Sequence, residues 1–471
     1  MGVDFCYVIS HGFAARMLLQ TNLITKLTQQ GYSVALISPD ATDENLLALA
    51  ENNANIKLVE WKTKASIWDD DYLHKRMYFL EDLSKNTALK EKFYNSLFYS
   101  KSKHPWKRIR PLVYYGVYLL NKLFPIIRKS FLKGEKKHLK SEEAVAILKE
   151  LQPKLLVATY PVSIIEAKII HEAKENNIAT LLHLLSWDNI TCKGIFPAVA
   201  DNYIAWGNIM SDELKEFYNI GDEQISICGV PHFDEHVRIR EQGITGKLIT
   251  ELGLSKELPY LFIAMSSPRF APKEIDIVEW LSAAVEQGVF GEKMQLIVRP
   301  HPQNVQTYMA DNSWLKRLDR LTSEKVAVSY PSLSQSKIRW SMKKTDMPQL
   351  SELIAGCTMC LNSGSTVSID ALMHNKPVLL TSFDGEAQIP YWNSARRLID
   401  YPHLKKLIEE GGAVPVHSYS ELKSKILSYI ERPDHDLLKR RNALLKECYK
   451  DDGNSTKRVI ESLTSVLNQV R

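Results

Sequence analysis

The sequence predicts an α/β chain built of two successive doubly wound domains. Three observations predict it: short apolar runs alternate with helix-period segments, one long stretch interrupts that rhythm, and the rhythm starts afresh after Gly229-Val230-Pro231. The chain has 471 residues, 45% apolar and 24% charged, which is enough for two or three domains with sizeable cores. Collagen-like, mucin-like and disordered classes are excluded.

The elements follow in order. Phe5 to Ser10 reads as a first strand, His11 to Arg16 as its turn, and Met17 to Gln30 as an amphipathic helix ending at Gly31. Ser33 to Ile37 and Asn55 to Glu60 continue the pattern, with Ser38-Pro39-Asp40 as a stop between them. From about Lys62 to Lys140 the chain is charged, aromatic and helix-period, and reads as an insertion. Alternation resumes with the strand Leu155 to Thr159, the helix Ser163 to Asn176 and the strands Ala179 to Leu184 and Asn202 to Ala205. Beyond the restart, Tyr260 to Met265 is a strand, Glu274 to Gln287 a helix and Met294 to Val298 a strand, with further βα units to Ser382. The expected domains are therefore 1–230, 231–435 and a helical tail 436–471, in which Ser455 caps the last helix.

The net charge of +5 hides an uneven distribution. Between Lys101 and Lys140 stand twelve Lys or Arg against a single acid, Glu135, a local excess of eleven positive charges. The remainder carries 48 basic and 54 acidic residues, a net −6. The middle of this island, Pro111 to Ile127, is apolar and Tyr-rich, which suits an anionic membrane surface better than nucleic acid. A helical insertion packed on the first domain is the alternative.

Six scattered cysteines do not form a disulfide framework, so a reducing compartment is expected. Cys357 and Cys360 lack a second ligand pair at zinc spacing and read as small buried residues. The N-terminus shows no signal-peptide pattern, Met1-Gly2 is only the start of a myristoylation motif, and no run of about eighteen apolar residues occurs. The expected location is cytoplasmic, peripheral at the inner face of the membrane.

In doubly wound domains ligands bind beyond the carboxyl ends of the strands, so polar residues there carry the chemistry. Arg299-Pro300-His301-Pro302 places a guanidinium and an imidazole at one strand end, both suited to phosphate oxygens. Asn362-Ser363-Gly364-Ser365-Thr366 follows another strand and opens a helix, where small residues and hydroxyls suit an anion. Ser266-Ser267-Pro268-Arg269 ends the first strand of the same domain, giving Ser267 and Arg269 as further phosphate candidates. Asp384-Gly385-Glu386 offers a carboxylate, Glu386, for sugar or ribose hydroxyls. In the first domain Ser186-Trp187-Asp188-Asn189 supplies Asp188 as the first choice of general base, with His11 the second. Turns, caps and local ion pairs are the structural alternatives at every one of these places. Neither G-x-G-x-x-G, a P-loop nor a G-x-S-x-G elbow is present, and the D-x-D runs at Asp69 to Asp71 and Asp434 to Asp436 are not at strand ends.

The strand-end Arg299-Pro300-His301-Pro302, the Ser363 to Thr366 turn running into Lys376-Pro377-Val378, and the late Asp452 to Arg458 together resemble GT-B glycosyltransferases. The likeness is to bacterial surface-polysaccharide enzymes: CDP-glycerol glycerophosphotransferases, capsular Kdo transferases and polysialyltransferases. It implies two Rossmann-like domains facing a cleft and a metal-independent enzyme without a cofactor. It further implies a nucleotide-sugar donor, CMP- or CDP-linked, with His301 and Ser365 or Thr366 at its phosphate and Arg299 nearby. The implied acceptor is a surface polysaccharide or a lipid-linked glycan, and nucleic acid is not an expected partner. UDP-GlcNAc 2-epimerases share the architecture and a similar Ser-Gly turn, so epimerisation stays open. So do polyol-phosphate transfer, although only one His-Pro strand end is present, and a non-enzymatic scaffold role.

Overall fold

The computed structural model describes residues 2–51, 53–80, 87–98, 105–305, 312–338 and 340–470. The chain forms two compact units, one of residues 1–229, 335–341 and 457–471, the other of 230–334 and 342–456. The first unit thus takes in residues 335–341, inside the expected second domain, and most of the C-terminal helix, inside the expected tail.

Seven strands are described in the first unit: β1 Phe5–Val8, β2 Val34–Ser38, β3 Ile56–Glu60, β4 Leu155–Ala158, β5 Ala179–His183, β6 Asn202–Ala205 and β7 Ile225–Ile227. Their order is β3-β2-β1-β4-β5-β6-β7, and every pairing is parallel. All residues of β1, β2 and β4 are buried, as expected of strands covered on both faces. The core joins Phe5, Tyr7, Leu36 and Val157 to Val459, Leu463 and Leu467 from the last helix, Ser455–Val470.

One expected boundary shifts. The turn predicted at His11 to Arg16 is already helical from Gly12 to Leu19, and a second helix, Leu23–Gln29, follows. Thr21 is the reason: its hydroxyl donates to the Met17 carbonyl at 2.8 Å and accepts from the Leu23 amide at 3.3 Å, replacing the helical ladder locally.

The insertion is helical, with helices Ile67–Leu80, Thr87–Phe98, Pro105–Leu123 and Pro125–Leu139. Residues 81–86 and 99–104 of it, Lys101 and Lys103 included, lie outside the described residues. A small core of its own, Met77, Leu89, Phe93 and Tyr114, holds three of these helices together.

Six strands are described in the second unit: β8 Tyr260–Ala264, β9 Gln295–Arg299, β10 Val326–Val328, β11 Met359–Asn362, β12 Val378–Thr381 and β13 Val414–Val416. Their order is β10-β9-β8-β11-β12-β13, again all parallel. The fold is two Rossmann-like domains. Cys357 and Cys360 are buried free thiols, as are the other four cysteines.

Candidate functional site

Each sheet winds outward in both directions from its first strand, so the topological switch lies between β1 and β4 in the first unit and between β8 and β11 in the second. At such a point the connections leave to opposite sides and a crevice opens at the carboxyl ends. The predicted residues of the second unit gather around the ends of β8, β9, β11 and β12.

The turn after β11 is held from beneath. The Asn362 Oδ1 accepts from the Gly364 and Ser365 amides, both at 2.8 Å, and its amide group donates to the Ser368 hydroxyl at 3.0 Å. Two backbone donors of the turn are therefore used internally and are not left for an anion. Ser365 and Thr366 are partly exposed, and the Ser365 hydroxyl accepts from the Val367 amide at 3.4 Å, which leaves its proton to donate. Gly364 sits at φ +113°, and a Cβ there would stand 2.6 Å from Leu404 Cδ1, so only glycine fits. Ser363 is buried and contributes to the scaffold instead: its hydroxyl donates to Glu274 at 2.5 Å and lies 2.8 Å from Thr381 Oγ1.

Glu274, which in the sequence is only the first residue of a predicted helix, joins the two sides of the switch. Its other oxygen accepts from the Ser266 amide, just after β8, at 2.5 Å. Burial pushes its carboxyl up to about 7, against the opposing pull of the Ser363 hydroxyl and the Ser266 amide.

At the end of β9 the two predicted side chains part ways. Arg299 is buried, with Nη2 donating to Asp346 at 2.5 Å and Nη1 to the Ser329 hydroxyl at 3.0 Å and the Tyr330 carbonyl at 2.9 Å. Its fork ties β9 to the segment after β10. His301 is lowered to about 4 by burial and is therefore a neutral imidazole at pH 7. Its Nδ1 accepts from the Gln303 amide at 3.1 Å, which leaves Nε2 as the N–H donor.

The turn after β8 carries a buried Ser267, whose hydroxyl accepts from the Arg269 amide at 3.4 Å, and an exposed Arg269. The Arg269 guanidinium lies 5.6 Å from the Phe270 ring centre. Beneath the loop a buried Arg397 donates to the Phe270 carbonyl at 3.0 Å and the Arg269 carbonyl at 3.3 Å, fixing its path. After β12, Asp384 is buried and accepts from the Ser394 hydroxyl and the Ala395 amide, so it shapes the loop, while Glu386 is exposed. Arg397 has no signal in the sequence beyond its residue type, and Asn362 is marked there only as part of the turn, because the scaffold role of each arises from burial.

The first unit repeats the device at its own switch. A fully buried Glu166 accepts from the Ser10 hydroxyl after β1 and from the Thr159 and Tyr160 amides after β4, the latter two at 2.7 and 2.6 Å. Its carboxyl is raised by burial. His11 packs with its ring centre 5.1 Å from Tyr160 and 5.0 Å from Trp340, two residues that no sequence motif marks. Asp188 accepts from the Ser186 hydroxyl and ion-pairs with Lys193, each at 2.7 Å. Lys193 in turn is kept above its ordinary value despite burial, chiefly by Asp188. From the insertion, Lys92 donates to the Cys192 carbonyl at 2.5 Å, and burial together with Lys193 lowers it to about 8.

No family model matches this chain, and no curated protein matches it in sequence. Solved structures do. A UDP-N-acetylglucosamine 2-epimerase matches with a TM-score of 0.55 at 12% identity, covering 100% of this chain and 97% of its own. The S. aureus MnaA complex with UDP matches at 0.54 and 8% identity, covering 99% and 97%. A glycosyltransferase from Rickettsia africae matches at 0.50 and 11% identity, covering 100% and 98%. At these identities the likeness establishes the shared architecture: the chain has the GT-B fold found in both glycosyltransferases and 2-epimerases.

Proposed function

We propose that this chain is a GT-B glycosyltransferase that binds a nucleotide-activated sugar at the switch point of its second unit. The observation that carries this reading is that an exposed residue with a guanidinium (Arg269), a neutral N–H donor (His301) and two partly exposed hydroxyl residues (Ser365, Thr366) all stand on turns at the carboxyl ends of β8, β9 and β11, turns fixed by buried polar groups. Together they make a donor set for a diphosphate, with Glu386 for hydroxyls of the ribose or sugar. Arg299 serves as scaffold in this reading, and Arg269 takes the charge role.

In the transfer, the acceptor hydroxyl loses its proton to a base and attacks the anomeric carbon. The bond from that carbon to the phosphate oxygen breaks, and the nucleotide leaves with the electron pair. Asp188 and His11 are the candidate bases, and the acceptor is a polysaccharide or a lipid-linked glycan. The nucleotide is CMP- or CDP-linked by the likeness stated above.

Titration of CMP, CDP and UDP into wild type, Arg269→Ala and His301→Ala tests the site. Each variant is expected to weaken binding of the preferred nucleotide about tenfold or more, the worth of one charge-assisted bond. Equal binding to all three proteins overturns the assignment.

Epimerisation is the second reading, favoured by the architecture shared with 2-epimerases at TM-scores of 0.52 to 0.55. Incubation with UDP-GlcNAc alone separates the two. Appearance of UDP-ManNAc, or of UDP and free ManNAc where water also cleaves the anomeric C–O bond, establishes the epimerase, whereas turnover only with an added glycan acceptor establishes the transferase. CDP-glycerol as donor tests polyol-phosphate transfer in the same assay.

A further inference from the structure

The helical hairpin of the insertion sits with its amphipathicity inverted. Helix Pro105–Leu123 buries Arg110, Pro111 and Tyr114, and its inward hydrogen bonds are made by polar and aromatic side chains: Arg110 donates to Asp70 at 2.6 Å, Trp106 Nε1 to Asp71 at 3.0 Å, and the fully buried Tyr114 bonds its hydroxyl to the Asp71 carboxylate. Those bonds fix the helix's rotation. The face left outside carries Ile109, Leu112, Val113, Leu120 and Leu123, spaced as one stripe of a helix, with Leu112 and Leu123 each 70% exposed. The stripe continues over the turn into Phe124 and Ile126, the latter 73% exposed. Rolling the helix to bury its leucines would strip two carboxylates of their partners, so the apolar face stays out.

Charge sets the kind of partner. The second helix, Pro125–Leu139, presents Arg128, Lys129, Lys133 and Lys137, all exposed and without a side-chain partner among the described residues. The single acid of this stretch, Glu135, is turned inward onto Arg76 and Tyr72. The outer face is thus apolar and purely cationic. Two copies of this chain meeting through it would set like charges against one another, and a nucleic acid would leave the apolar stripe unused. No helix among the described residues is long and apolar enough to cross a membrane.

We infer that the outer face of the Pro105–Leu139 hairpin is a docking surface for an anionic lipid bilayer, lying in the interface with the Leu120 to Ile126 tip among the acyl chains and the cations at the headgroups. This surface is independent of the nucleotide site.

The test is co-sedimentation of the full chain with vesicles of phosphatidylcholine alone and of equal parts phosphatidylcholine and phosphatidylglycerol. Binding is expected only to the second, and is expected to be lost in about 1 M NaCl, where charges are screened beyond ~3 Å. Each basic residue near an anionic surface strengthens partitioning roughly fivefold, so Arg128→Gln/Lys129→Gln/Lys133→Gln should weaken it on the order of a hundredfold. Leu120→Ser/Leu123→Ser/Ile126→Ser should weaken it comparably, with the near-UV spectrum of both variants unchanged, since all six positions are exposed. No binding by wild type, or binding untouched by both variants, overturns the inference. So does sedimentation velocity showing a dimer that the leucine variant dissolves, which would make the face an interface between copies.

Discussion

Glu274 and Ser363 stand on opposite sides of the second unit's switch point and are joined by a 2.5 Å hydrogen bond between fully buried side chains. Through the same carboxylate the Ser266 amide is held, so one buried acid sets the spacing of the two turns that the proposed ligand would occupy. Glu274→Ala should cost about 2–6 kcal/mol, from leaving two buried donors short of a partner at roughly 1–3 kcal/mol each. Urea unfolding measures it. Glu274→Gln should cost less and also remove a pH effect: with its folded value raised to about 7 from 4.5, Glu274 binds its proton more tightly folded than unfolded. Its contribution is full below pH 4.5 and is lost as pH rises to 7, at up to about 1.4 kcal/mol per pH unit, a slope the variant should lack.

Arg299 and Arg269 should separate stability from binding. Arg299→Ala leaves Asp346 buried without its guanidinium and should cost about 3–5 kcal/mol, seen as a lower urea midpoint. Arg269→Ala, at an exposed position, should leave the midpoint within about 0.5 kcal/mol while weakening nucleotide binding. An Arg299 variant that folds normally but no longer binds nucleotide would reverse the two roles.

Acid should destabilise the protein from about pH 6.5 downward. Burial lowers His183 to about 3, His301 to about 4 and, with His236 beside it, His374 to about 2, all from 6.5. The unfolded chain binds protons below 6.5 that the folded chain refuses, so stability falls with falling pH by up to about 1.4 kcal/mol per unit for each histidine. His183→Leu should flatten that limb by one histidine's share in urea titrations at pH 5.0 to 6.5, roughly 2 kcal/mol across the interval.

Gly364→Ala should be strongly destabilising for its size. At φ +113° with Leu404 Cδ1 2.6 Å from the new methyl, the turn after β11 must shift or strain, at about 2–4 kcal/mol. A shift also pulls Ser365 and Thr366 out of place. The expected readout is a lower melting temperature together with a weaker nucleotide titration; an unchanged titration would detach this turn from the ligand.

The two parallel sheets were legible in the chain because buried parallel strands are continuous apolar runs, as at Phe5 to Val8 and Tyr260 to Ala264, and their carboxyl ends could be found by counting. The same counting placed His301, Arg269 and Ser363 to Thr366 at strand ends. It missed the short strands Ile225–Ile227 and Val414–Val416, which are only three residues long and partly exposed, and so lack an apolar run. Residue type and spacing also marked the basic island and its apolar middle. What they could not settle is direction: whether Arg299 turns to a ligand or to Asp346, whether Asp188 stands alone or beside Lys193, whether Glu274 caps a helix or bridges two turns, and which face of the Pro105–Leu123 helix is buried. Those choices are decided by partners from 5 residues away, Lys193 for Asp188, to 89, Ser363 for Glu274, and a buried polar group goes wherever a partner compensates its lost water. Local sequence therefore determined the elements and the ends where chemistry is possible, and only tertiary packing decided which polar side chains hold the scaffold and which remain to meet a ligand.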